Sequence, residues 1–108
     1  MHTNELPVTT PRATFTDVVH VISKGELGIA IVKFATRYGI ITDGDIRRAM
    51  ENKHKEPFDL QASDIVTNNP LSVLSNSRVH EAISLMESKK VNTLLVIDNE
   101  KLLGVIKK

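Results

Sequence analysis

The chain has 108 residues, 41% of them hydrophobic and 25% charged, a formal net charge of +1 and no cysteine. That length can bury one ordinary core, and Lys/Arg interspersed with Asp/Glu leave no broad basic face for a nucleic-acid backbone. Without cysteine there is no disulfide or thiolate metal site, His2, His20, His54 and His80 lack metal-ligand spacing, and no apolar run nears the roughly 20 residues of a membrane span, so the composition reads as a cytoplasmic domain without metal.

Leu6 to Thr9 can form a short edge strand, because Pro7 is tolerated at strand starts and edges. From Thr14 the pattern turns helical: Thr14 and Asp17 have the spacing of a capping box, and Phe15, Val18, Val19 and Ile22 recur on one face. The helix should stop near Lys24-Gly25, with Gly25 as a left-handed cap. Ile29 to Val32 is a continuous apolar run rich in β-branched residues, the mark of a strand covered on both faces. A tight turn at Ala35-Thr36 would bring Arg37 to Ile41 back antiparallel. A helix over about Asp43 to Asn52 follows, with Ile46, Ala49 and Met50 as its packing face. Residues 53–62 read as a polar linker, pinned by Phe58 and Leu60.

After that linker the pattern starts again. Moving 64 positions along the chain lays Phe15, Val18, Val19 and Ile22 on Val79, Ala82, Ile83 and Met86, and Ile29 to Val32 on Thr93 to Val96. One further residue, assigned to the turn at Asp98 to Lys101, aligns Gly39-Ile40-Ile41 with Gly104-Val105-Ile106. Ser77 is the candidate cap of the second helix. The fold class is therefore α+β, two βαββα repeats, with 1–52 as the first, 53–62 as linker and 63–108 as the second. The two sheets are expected to pack around a shared core with a cleft at their junction. Thr42 would correspond to Lys107 and Asp45 to a position beyond Lys108, so the last helix of the second repeat is expected to be missing and both ends to cut across a longer protein.

The densest polar turn is Gly39-Ile40-Ile41-Thr42-Asp43-Gly44-Asp45-Ile46-Arg47-Arg48, a strand running straight into a helix start. Thr42 and Asp45 could do no more than cap that helix. They could equally offer a hydroxyl and amides to a phosphate and a carboxylate to sugar hydroxyls. The Gly-x-x-Thr-x-x-Asp string resembles the ribose-phosphate motif of CBS domains, which are adenosyl-binding modules. The longer string, with Leu102-Leu103-Gly104-Val105-Ile106, resembles the tandem CBS repeats at the C-terminus of sugar-phosphate isomerases that make arabinose 5-phosphate.

That resemblance implies a tandem CBS-domain pair binding a nucleotide or nucleotide-sugar between its repeats. Gly39, Ile40, Thr42, Asp43, Asp45 and Arg48 would come from the first repeat and Lys90, Asn92 and Thr93 from the second. An adenosine nucleotide is one expected ligand. CMP-Kdo, the activated acid sugar of lipopolysaccharide synthesis, is the other. No nucleophile elbow, P-loop or paired acid and base is present, so catalysis would belong to an N-terminal sugar-isomerase domain of the parent chain. The alternative is an interaction module with an empty cleft that holds subunits together, and CBS pairs commonly form homodimers.

Overall fold

The computed structural model describes residues 6–25, 27–51, 56–67 and 70–107. Their order is β1 (Val8–Thr9), α1 (Phe15–Lys24), β2 (Ile29–Lys33), β3 (Tyr38–Thr42), α2 (Asp43–Glu51), a 3-10 turn (Pro57–Asp59), α3 (Ala62–Ile65), β4 (Ser72–Val73), α4 (Val79–Lys89), β5 (Thr93–Asp98) and β6 (Lys101–Lys107). They build two compact units, Pro7–Asn69 and one based on Pro70–Lys108, where composition alone suggested one. Each holds a three-stranded sheet, β1-β2-β3 in the first and β4-β5-β6 in the second.

In the first unit β2 is the central strand, parallel to β1 through Val8↔Ile31 and antiparallel to β3 through Ile31↔Ile40. Ile29 to Val32 are all buried, as an uninterrupted apolar run requires of a strand with neighbours on both edges. Helix α1 starts where the Thr14 hydroxyl accepts the Asp17 amide at 3.1 Å, and it buries Phe15 and Val18. Its end differs from expectation. Gly25 is extended, with φ −80° and ψ 156°, so the left-handed cap does not form, and the Gly25 amide instead bonds the Val21 carbonyl at 3.1 Å.

The boundary between the repeats also moves. Residues 52–55 lie outside the described set, but 56–67, read from sequence as linker and then as the start of the second repeat, belong to the first unit. Leu60 packs with Phe15 and Ala49, and Ala62 with Val18, Ala30, Val32 and Ile41. The main chain is stitched down as well: the amides of Ala62 and Ser63 donate to the carbonyls of Ala13 and Pro11, each at 2.9 Å. The apolar side chains in this stretch outweigh its polar look, and the Phe58 and Phe15 rings meet nearly perpendicular with centroids 6.1 Å apart.

The second unit repeats the layout with three changes. Helix α4 ends in Lys90 at φ 56° and ψ 44°, with Lys90 N–H to the Glu87 carbonyl at 3.3 Å and Val91 N–H to the Met86 carbonyl at 3.0 Å. That is a Schellman cap with lysine where glycine is usual. The β5–β6 hairpin turns on Asn99 and Glu100, both at positive φ. The pairing runs Val96↔Gly104, then Ile97↔Leu102, so the extra residue is a bulge at Leu103 and not a longer turn. Finally, α4 buries Ala82 and Met86 while leaving Val79 72% and Ile83 39% exposed, so the four-residue face shared with α1 in sequence is only half covered. Among the described residues no helix follows β6. Met50, expected on the packing face of α2, is 63% exposed.

Candidate functional site

The junction of β3 and α2 gathers the first-repeat residues singled out by sequence. The Thr42 amide donates to Asp45 Oδ2 at 2.9 Å, and the Asp45 amide lies 3.4 Å from Thr42 Oγ1. Both arms of the expected capping box are therefore present. The Thr42 hydroxyl reaches the same Asp45 Oδ2 at 3.2 Å. Asp45 is 7% exposed, the one charged side chain buried among the described residues. A buried carboxylate needs several donors, and this one has them. Arg48 Nη2 pairs with Oδ1 at 2.5 Å, and a residue absent from the sequence reading, Thr67, places its hydroxyl 3.3 and 3.4 Å from the two oxygens.

Arg48 is only one i,i+3 step from Asp45, and its side chain leans toward the helix N-terminus, as helical side chains do. A Cβ added at Gly44 would meet Arg48 Nη1 at 3.3 Å and Thr42 Oγ1 at 3.6 Å. Glycine thus lets the Arg48 guanidinium lie close over the helix start, beside the Thr42 hydroxyl. A phosphate oxygen suits that combination by charge and by donor supply. The guanidinium remains 70% exposed, so it can change partner at small cost. Asp43 is exposed at the first helical position.

Behind the carboxylate lies a cavity of about 240 Å³ lined by Asp45, Arg48, Ala49, Leu60, Asp64 and Ile65, all in the first unit. Two carboxylates, one guanidinium and an apolar floor favour hydroxyl groups over a second anion.

Gly39 and Ile40 have other tasks. A Cβ on Gly39 would lie 2.4 Å from Val66 Cγ2 and 3.2 Å from the Thr67 carbonyl, so what comes close to this glycine is the chain's own backbone. Ile40 exchanges both main-chain bonds with Thr67, at 3.1 and 2.8 Å. A ligand could not use those groups without displacing residues 66–67. In the second unit, Lys90 is the left-handed cap of α4, Asn92 is an exposed residue before β5, and Thr93 opens β5 opposite Lys107. No group of three or more His, Asp or Glu able to hold a metal occurs among the described residues, and no helix there is long and apolar enough to cross a membrane.

Thr67 was legible only indirectly. Nothing in Ile65-Val66-Thr67 marks a ligand site, but the glycine at 39 signals that something must cross β3, and the crossing segment carries the extra hydroxyl.

Residues 62–108 match the CBS domain family. Over 96 residues the chain is 34% identical to a probable arabinose 5-phosphate isomerase of Haemophilus influenzae, covering 88% of this chain and 28% of that one. It is 33% identical over 109 residues to the arabinose 5-phosphate isomerase KdsD of Yersinia pestis, covering 98% and 33%. The chain thus spans about a third of the length of the curated relatives it matches. A CBS domain protein from Pyrobaculum aerophilum complexed with AMP superposes with a TM-score of 0.77 at 25% identity, over 93% of this chain and 78% of that one. The two three-stranded sheets, their internal repetition and these matches agree: residues 62–108 are similar to the CBS domain family, and the chain has the fold of CBS-domain proteins.

Proposed function

We propose that this chain is the regulatory part of a sugar-phosphate isomerase of the arabinose 5-phosphate type, and that the β3–α2 corner binds a nucleotide or nucleotide-sugar. In this reading Asp45 accepts hydroxyls of the ligand's sugar, the Thr42 hydroxyl and the first amides of α2 take a phosphate, and Arg48 balances its charge. The observation that carries it is the buried Asp45 carboxylate at a helix start, with the Thr42 hydroxyl and the exposed Arg48 side chain gathered on it beside Gly44. The relatives' names support the isomerase context, and the AMP held by the Pyrobaculum protein supports an adenosine nucleotide as one candidate. CMP-Kdo is the other, as an end product of the pathway that arabinose 5-phosphate would feed. The aldose–ketose chemistry would lie in a sugar-isomerase domain of the parent protein.

Binding of AMP or CMP-Kdo, followed by thermal shift and calorimetry, tests the reading. A ligand at 100 times its dissociation constant should stabilise the fold by about 2.7 kcal/mol. Arg48→Gln should weaken that ligand and flatten the salt dependence of its binding. No shift with either compound would remove the sensing role.

A second reading rests on a separate observation, the exposed apolar side chains Val79, Ile83 and Met50. As an interaction module the chain would join subunits, with a homodimer as the simplest form. Light scattering showing a monomer mass at high protein concentration would exclude it.

A further inference from the structure

We infer that Thr67 is a positioning residue for the Asp45 site: its hydroxyl, delivered by a strand-like crossing of β3, fixes the orientation in which the carboxylate meets a ligand. This inference rests on the proposed ligand role of Asp45, but its structural half can be tested without any ligand.

Four donor groups converge on the Asp45 carboxylate. Within α2 and its cap, Asp45 Oδ2 receives the Thr42 amide and hydroxyl, and Oδ1 receives Arg48. These partners are local, and Arg48 is largely exposed, so it can leave when an anion arrives. Thr67 is the one partner distant in sequence, 22 positions away, and it contacts both oxygens. Its single hydroxyl proton serves one oxygen at a time, but a hydroxyl set between the two adds a restraint on rotation about the Cβ–Cγ bond that is anchored outside the helix.

Its own placement is over-determined. Thr67 exchanges two main-chain bonds with Ile40, its carbonyl lies over Gly39, and the preceding Val66 packs in the α1–β2–β3 core. The hydroxyl is thus held on bonded backbone, whereas Arg48, with its side chain 70% exposed, can exchange Asp45 for a ligand anion. A site works best when its ligand-contacting group is locked by a neighbour that does not itself touch the ligand.

The test uses Thr67→Val, which keeps shape and main-chain bonding and removes only the hydroxyl, and Thr67→Ser, which restores the hydroxyl. The first readout is the Thr42 amide in the ligand-free protein, observed by NMR. Thr67→Val should shift its proton resonance upfield and speed its exchange with solvent, while the Ile40 amide, bonded to the Thr67 carbonyl, stays protected. Thr67→Ser should restore the wild-type Thr42 signal. The second readout is AMP affinity by calorimetry, expected about fivefold weaker in Thr67→Val and recovered in Thr67→Ser. If Thr67→Val does not fold, Thr67→Ala is measured in its place.

An unchanged Thr42 amide in the hydroxyl-free variant would overturn the inference, as would wild-type AMP affinity in that variant. Failure of AMP to bind the wild-type protein strikes the AMP reading of the site instead. The positioning claim then stands or falls on the Thr42 amide alone.

Discussion

The two units carry the same helix pattern and treat it differently. In the first, Phe15 on α1 is 5% exposed because Ala49 of α2 and Leu60 after the 3-10 turn lie against it, with Phe58 at its edge. In the second, the matching Val79 on α4 is 72% exposed, although Ala82 and Met86 one turn and two turns on are buried as deeply as Val18. Strand and helix pairing within each repeat sets the inner half of the helix face, and a later segment sets the outer half. Periodicity in α4 therefore names residues that could be covered, whereas coverage depends on elements elsewhere in the chain.

The largest expected effect breaks that comparison directly. Phe15→Ala should cost about 3–4 kcal/mol in denaturant unfolding, through lost burial and a cavity between α1, α2 and Leu60. Val79→Ala should stay within about 0.5 kcal/mol. Equal costs would mean that the two helix faces are covered alike in solution.

Next comes Gly39→Ala. Its Cβ would strike Val66 at 2.4 Å, so the crossing segment must shift, at a cost of about 2 kcal/mol. Exchange of the Thr67 amide should accelerate with it. A neutral substitution would show that residues 66–67 are not held against β3 as described.

In the second unit the sign reverses. Lys90 holds a left-handed conformation that glycine adopts without strain, so Lys90→Gly should stabilise by about 1 kcal/mol. A destabilised variant would mean that the lysine side chain makes contacts worth more than the backbone strain.

The smallest effect is a pH dependence at Asp98. The hydroxyl and then the amide of Ser75 bond its carboxylate and hold the carboxyl below its ordinary value of 3.8. A lowered folded value means that the unfolded chain takes up its proton first as pH falls. The contribution is present above the unfolded value and is lost through the acid range below it. Wild type should therefore exceed Ser75→Ala in stability at neutral pH, and the gap should narrow below about pH 4. A gap independent of pH would remove Asp98 as its source.

Much of this architecture is written in local signals. The N-cap at Thr14, the capping box at Thr42, the covered run Ile29 to Val32, the Ala35-Thr36 turn and the repetition of the strands all follow from side-chain chemistry within a few residues. What could not be read depends on distant partners or on backbone choices with several solutions. Leu60, Ala62 and Val66 sit among polar residues, and only the core of the first unit makes their stretch part of it. The extra residue of the second hairpin could enter the turn or a bulge, and the positive φ values of Asn99 and Glu100 allow a two-residue turn that sends it to Leu103. The left-handed cap falls on Lys90 and not on Gly25, since a Schellman motif forms where the following apolar residue can fold back, as Val91 does against Met86. At the β3–α2 corner, the Thr42–Asp45 pairing was legible from spacing and Arg48 entered only through the family resemblance, while Thr67 was hidden because its link to Asp45 exists only in three dimensions.

Asp45→Asn isolates the carboxylate's part in ligand binding, because it keeps the shape of the group while removing its charge and half of its acceptor capacity. AMP and CMP-Kdo are titrated calorimetrically into wild type and variant, with unfolding followed in parallel to confirm that both are folded. Wild type should bind at least one of the two, and the variant should bind it at least tenfold more weakly. Wild-type affinity in a folded Asp45→Asn protein, or no heat from either compound in wild type, would contradict the proposed role of Asp45.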